Sequence, residues 1–329
     1  MSGLIALSLA FHAVTARSFG RRCREAAILG TNCAGPQRIH GARQSGHAIM
    51  HQDTIDLATF EESHLDGALL LSREAGWPHR REDWALVLSL SHGFVALQGD
   101  TVVGTAMLTP FGDAVATVNM VIVSSAMRGR GLGRRLMDAA LAAAGTRECR
   151  LVATAEGLPL YEKLGFRSTH EISQHQGVVG QAAGLPAPGI SWADPADFTA
   201  LAELDRAALG LDRRPLLRLL TAAGRLAVLR ERGRVTGYGA LRLFGRGEVA
   251  GPVIAGSEQA AQAILSFFIA ARPGAFLRVD TPSFAGLSPW LVAQGFAEVG
   301  GGIAMRRGNT ASPPAGPRKP FALASQALG

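Results

Sequence analysis

Val121-Ile122-Val123-Ser124-Ser125-Ala126-Met127-Arg128-Gly129-Arg130-Gly131-Leu132-Gly133-Arg134 is the stretch whose reading decides the fold. An apolar strand runs into a loop of alternating Gly and Arg, and Gly133–Ala144 follows with helical spacing and a glycine stop at Gly145. A helix start leaves backbone N–H groups unpaired and carries a partial positive charge. Glycines let those groups close around an anion such as a diphosphate, and Arg128, Arg130 and Arg134 add charge-assisted contacts. The plain alternative is a tight strand–helix turn with solvated arginines. The spacing is neither Gly-x-Gly-x-x-Gly nor a loop ending in Gly-Lys-Ser/Thr, so dinucleotide and nucleoside-triphosphate sites are not indicated.

Working outward, Thr54–Ala58 reads as a strand, Phe60–Ala75 and Arg81–Leu90 as helices broken by Gly76-Trp77-Pro78, and Phe94–Leu97 and Thr101–Leu108 as a hairpin around Gly99-Asp100. Ala114–Val123 leads into the loop. After the helix come a short strand, Leu151–Thr154, a short helix, Leu158–Leu164, and a strand opening at Phe166. The order β, α, α, β, β, β, α, β, α, β then recurs beyond a Gly/Ala/Pro linker. Pro159-Leu160-Tyr161-Glu162-Lys163-Leu164-Gly165-Phe166 is echoed by Pro289-Trp290-Leu291-Val292-Ala293-Gln294-Gly295-Phe296, which points to an internal duplication. At that constant offset Glu258, Ala261 and Ala263 stand opposite Arg128, Gly131 and Gly133, and Leu291 opposite Tyr161, so the second copy is expected to have lost the anion site.

The loop, together with Leu160-Tyr161-Glu162-Lys163-Leu164-Gly165-Phe166 downstream, resembles the signature of the GNAT superfamily of acetyl-CoA-dependent N-acetyltransferases, with Ser125 where a proline is frequent. The resemblance covers residues 50 to about 176. It implies an α/β (α+β) fold of two tandem GNAT-like units, each a mixed, mainly antiparallel sheet flanked by helices. It implies acetyl-CoA as co-substrate, with the backbone of Val121, Ile122 and Val123 along the pantetheine arm. The amides of Gly129, Arg130, Gly131, Leu132, Gly133 and Arg134 would hold the pyrophosphate, with Arg128 beside them. It also implies Tyr161 as the acid that protonates the departing thiolate; the alternative for Tyr161 is a half-buried core residue. Glu156, His92 and Asp113 are candidate bases, each equally readable as an ordinary surface or loop residue. Trp77, Pro78, His79, Arg80 and Trp84 are expected to shape the acceptor pocket, or, for the two Trp, to anchor the core.

The expected organisation is an N-terminal extension, disordered or a misassigned start, over 1–49, a catalytic unit over 50–178, a linker over 179–189, a degenerate unit over 190–308, and a tail over 309–329 with a candidate edge strand at Phe321–Ala327. The net charge of +7 lies in the ends: Arg17, Arg21, Arg22, Arg24, Arg38 and Arg43 face only Glu25 in the first segment, and the tail after Met305-Arg306 carries Arg307, Arg318 and Lys319 with no acid. The folded part is near neutral, which gives no basic stripe for nucleic acid. The apolar run Leu4–Val14 is short for a span, and its arginines follow it rather than precede it. Three cysteines without CxxC or Cys/His spacing indicate no metal site and fit a reducing, cytoplasmic setting. The partner is then an amine-bearing small molecule or peptide. The rival readings are an acyl-CoA sensor without turnover and an interaction module.

Overall fold

The repeated order of elements folds as two similar halves that share one sheet. The computed structural model describes residues 54–180, 188–308 and 316–329; the expected extension over 1–49 and most of the linker lie outside them. The first half runs β1 (Ile55–Thr59), α1 (Leu65–Glu74), α2 (Arg81–Leu88), β2 (His92–Gln98), β3 (Thr101–Phe111), β4 (Val115–Val123), α3 (Leu132–Ala144), β5 (Glu148–Ala153), α4 (Leu158–Lys163) and β6 (Arg167–Val178). The second repeats it: β7 (Ile190–Trp192), α5 (Phe198–Leu209), α6 (Arg214–Ala223), β8 (Gly224–Glu231), β9 (Arg234–Phe244), β10 (Gly247–Ala255), α7 (Glu258–Ala270), β11 (Phe276–Pro282), α8 (Ser288–Ala293) and β12 (Ala297–Arg307). A short β13 (Lys319–Ala322) closes the chain.

Local chemistry fixes the ends of these elements. Asp83, three residues into α2, accepts the Arg80 amide at 2.9 Å, and Ser257 accepts the Ala260 amide at the start of α7. In α3 the apolar stripe Leu132, Leu136, Met137, Ala140 and Ala144 is buried, and Gly145 ends the helix at φ 61°.

The sheet order is β1-β2-β3-β4-β5-β12-β6-β11-β10-β9-β8-β7. Neighbours are antiparallel except the parallel pairs β4·β5 and β10·β11. The halves therefore exchange their last strands. β12, from the second half, pairs with β5 of the first, and β6, from the first, pairs with β11 of the second. β12 lies between β5 and β6, and two of its glycines sit where a side chain would clash. A Cβ on Gly301 would sit 1.7 Å from the Ile172 carbonyl oxygen, and one on Gly302 2.7 Å from that of Ala153.

The two α-hairpins, α1–α2 and α5–α6, pack into one core that joins Leu65, Trp84 and Met107 to Leu204, Leu217 and Tyr238. Helices α3–α4 and α7–α8 cover separate clusters. Within the shared core Arg213 pairs with Asp205 at 2.7 Å, Tyr238 donates to Asp205, and Arg213 also holds the Gly329 carbonyl oxygen at 2.6 Å.

The sequence offered Phe321–Ala327 as a candidate edge strand; β13 takes Lys319–Ala322 and has β10 as its strand partner. It pairs antiparallel with β10 at Val253–Ala255, and Thr281 of β11 donates to the Phe321 carbonyl while the Leu323 amide donates to the Asp280 carbonyl. It thus fills the gap where β10 and β11 part, since those two pair only at Glu248 and Val249.

The exchange gives a stability test. Gly301→Val should lower the unfolding free energy by about 3 kcal/mol or more, because the side chain meets backbone rather than a movable group. Gly300→Ala should cost less, since no atom lies within 4 Å of its added Cβ. Urea denaturation of both variants checks the order.

Candidate functional site

The loop singled out in the sequence sits where β4 leaves β5. β4 pairs with β5 only through Val115–Thr117, opposite Glu148–Arg150. Its other edge stays on β3, with Gly104 opposite Val123 and Thr105 opposite Ile122. Met120 adopts φ 50°, and the β3·β4 register shifts beside it, so the strand bends as it parts from β5. Val121, Ile122 and Val123 thus present a strand edge with no strand partner on the β5 side.

Beyond them, Gly129 and Gly131 take φ 74° and 75°, and a Cβ added at either meets nothing within 4 Å. The amides of residues 129–134 have no hydrogen-bond partner among the described residues. Leu132 anchors the helix start in the core, while Arg128, Arg130 and Arg134 remain exposed. Arg128 lies 3.4 Å from Glu156, Arg134 3.6 Å from Asp138, and Arg130 donates to the Met127 sulfur. The loop is braced from α1: the Glu74 carboxylate accepts the Ser125 amide at 2.6 Å, and its acidity is raised by the bonds from Ser125 and by the nearby Arg128 charge. Nothing in the Glu74 sequence context announces this contact, which spans 51 positions.

Beside the parted strands is a cavity of about 470 Å³. Tyr161 of α4 lines it, with Asn119 and Val121 of β4. The Tyr161 ring is buried against Phe166, and burial pushes its hydroxyl up to about 12. Gly157 gives that ring its place, since a Cβ there would approach it to 2.7 Å. Asn119 is also buried; its amide nitrogen donates to Thr109, and its Oδ1 has no partner.

Trp77 and His79 line the cavity, whereas Trp84 is fully buried and stacks on Phe60, so the aromatic pair of the sequence splits into one wall residue and one core residue. Trp84 Nε1 donates to Ser72 Oγ, and the Ser72 hydroxyl bonds His79 Nδ1 at 3.1 Å. The Ser72 hydroxyl thus links the buried indole to the imidazole of the cavity wall. Burial pushes His79 down to about 4, with the Arg278 and Arg242 charges adding to the fall and Asp83 opposing it.

The candidate bases lie elsewhere. Glu156 is exposed and paired with Arg128, Asp113 is exposed and paired with Arg147, and His92 is exposed at the start of β2; none lines the cavity. The remaining wall was not legible in the sequence. Gln174 and Gln176 come from the exchanged strand β6, Phe244, Arg246 and Arg278 from the second half, and Gln326 from the tail.

The second half departs from the first more deeply than a constant offset indicates. Eight residues, 124–131, join β4 to α3, whereas only Gly256 and Ser257 join β10 to α7. Glu258 therefore starts its helix, as Leu132 does, rather than standing opposite Arg128. The glycine–arginine loop is missing rather than substituted. Leu291 takes the α8 position that matches Tyr161 and is buried in the core. β13 occupies the strand gap.

Two models of the acetyltransferase (GNAT) domain match the chain, over residues 89–168 and 201–316. The uncharacterised N-acetyltransferase YitH of Bacillus subtilis is 32% identical over 254 residues, covering 74% of this chain and 89% of its own. A Pyrococcus horikoshii protein assigned as an acetyltransferase shares the fold at TM-score 0.68 and 19% identity, over 88% of this chain and all of its own. A tandem GNAT protein from the clavulanic acid biosynthesis pathway does so at 0.55 and 16%, over 78% and 100%. Among the described residues no helix is long and apolar enough to cross a membrane.

The His79 environment predicts a pH dependence. Its folded value lies below the ordinary 6.5, so the unfolded chain binds the proton first as pH falls. Its contribution to stability is complete above pH 6.5 and is lost as pH falls towards about 4. Urea denaturation at pH 7 and pH 5 should show a smaller loss of stability for His79→Gln than for the parent; equal losses would remove His79 from the account.

Proposed function

The chain belongs to the GNAT family of N-acetyltransferases, and from that premise we propose that its first half transfers acetyl from acetyl-CoA to a primary amine held in the cavity beside Tyr161. The observation that carries this reading is the convergence of three features: the unpaired edge of β4, the partnerless amides of residues 129–134, and a buried phenol, the first and third on one cavity.

The residues fit the group. Val121, Ile122 and Val123 offer backbone donors and acceptors to an extended amide-bearing arm, as a further strand would. The amides of Gly129, Arg130, Gly131, Leu132, Gly133 and Arg134 offer a concave set of donors to a diphosphate, and Arg128, Arg130 and Arg134 add charge. Acetyl-CoA supplies a thioester carbonyl when bound.

In the transfer, the free amine forms the new C–N bond and the C–S bond breaks. Tyr161 provides the proton taken up by the departing sulfur; a phenol raised to about 12 is fully protonated at neutral pH and available for this role. The amine sheds its own proton to solvent, because the titratable groups lining the cavity are His79, pushed down to about 4 and so a weak base, Tyr161 and two arginines; solvent returns a proton to the Tyr161 phenolate. Asn119 lines the cavity beside Tyr161, its amide nitrogen held by Thr109. The second half keeps the fold without the loop, and its strand gap is filled by its own tail.

Tyr161→Phe should lower kcat about 100-fold while changing the Kd of acetyl-CoA little; an unchanged kcat removes Tyr161 from proton transfer. Gly131→Glu should abolish acetyl-CoA binding in calorimetry. The same titration of the parent chain should give one acetyl-CoA per chain, and two would contradict the sealed second gap. The kcat/KM profile should rise with pH to the pKa of the amine itself; an inflection near neutrality, independent of the amine, would reveal a base not identified here.

A further inference from the structure

The acceptor cavity carries a charge pattern that goes beyond acetyl transfer. Arg246 and Arg278 line it, and among the described residues no Asp or Glu does. Asp280 lies fully buried behind the wall with its carboxylate engaged: Arg278 Nε and Nη2 donate to it at 2.9 and 3.0 Å, and Gln326 Nε2 at 3.0 Å. Asp83 is equally committed, to Arg80 at 2.8 Å, to the Gly245 amide at 3.0 Å and to Arg242 at 3.6 Å. This cluster of four guanidinium groups holds two carboxylates, so positive charge is in surplus. Arg246, exposed on the β9–β10 turn, has no ion-pair partner among the described residues, and the buried Arg242 Nε has no acceptor.

The neutral groups of the wall do not offset this charge. Gln174 donates to Gln176 Oε1 at 3.2 Å and Gln326 to Gln174 Oε1 at 3.4 Å, so the three amides line the cavity as a linked set. A wall with surplus cation and no carboxylate suits an oxyanion and repels a second ammonium group.

We infer that the acceptor is an amine that also carries an anionic group, a carboxylate or a phosphate, with the amine at Tyr161 and Asn119 and the anion at Arg246 and Arg278. This rests on the acetyl-transfer reading above. The same surplus charge favours the unprotonated form of the incoming amine, which serves a site without a base. Asp280 acts as a positioning residue, holding Arg278 and Gln326 in the wall.

The test measures thiol release from acetyl-CoA by the full chain with matched amines: glutamate against glutamine α-amide, glucosamine 6-phosphate against glucosamine, and spermidine as a polycation. The anionic member of at least one pair should exceed its neutral partner by about tenfold or more in kcat/KM, as expected for a charge-assisted contact. Which pair responds identifies carboxylate or phosphate. Arg246→Gln should erase most of that ratio, chiefly through KM, with acetyl-CoA affinity unchanged; an undiminished ratio overturns the role of Arg246. Neutral or cationic amines reacting as well as or better than the anionic ones overturn the inference and leave acetyl transfer standing. Acetyl-CoA binding without turnover of any amine overturns both.

Discussion

The position of β12 between β5 and β6 is the constraint on which the rest of the structure depends. Each half lacks a strand that the other supplies, so neither half can complete its sheet from its own residues. At Gly301 and Gly302 its backbone lies against the Ile172 and Ala153 carbonyls, where a side chain would clash. The joint also sets up the cavity. By sending β6 across to β11, it carries Gln174 and Gln176 to the wall that holds Arg278. The α-hairpins of the two halves then close over one core, so the acceptor wall and the Tyr161 wall are fixed by the same packing.

A parted pair of strands is a physical problem that the two halves solve differently. Unpaired backbone groups away from water are costly. In the second half β13 and the bonds from Thr281 and Leu323 satisfy the gap from within the chain, and Phe321 is fully buried there. In the first half no segment of the described chain does so, and the adjacent loop keeps its glycines and its free amides. The short connection before α7 and the presence of β13 go together in the second half, where the tail supplies the pairing that the parted strands would otherwise lack.

The sequence made the elements legible where chemistry is local. Alternation, helical spacing and glycine stops located nearly every strand and helix of the first half, and the repeated Gly-Phe ending exposed the second. It concealed whatever depends on pairing at long range. Gly301 and Gly302 lie in the middle of a long strand, because close approach rather than turning is what those two glycines provide. The constant offset between halves holds at α4 and α8 but fails at the loop, since a deletion leaves no residue to align. Tyr161 was recognisable from its motif, whereas Gln326 was not, because it reaches the cavity only through a tail laid across another half.

The division of labour at the site follows from where protons can reside. Tyr161, pushed up to about 12 by burial, keeps its proton at neutral pH. His79, the cavity imidazole, is held neutral by burial and by guanidinium charge, and its Nδ1 lies against the Ser72 hydroxyl. A carboxylate base at that wall would be drawn into an ion pair with Arg278 or Arg246 and lose basicity. On the acetyl-transfer reading, the same field that makes a base ineffective would weaken the hold of an ammonium on its proton, and the second half would contribute charge in place of a dedicated base. The tail that seals one gap ends beside the other, with Gln326 bound to Asp280. On the acetyl-transfer reading, the half without the glycine–arginine loop therefore remains indispensable, because its arginines and its tail complete the wall of the cavity beside Tyr161.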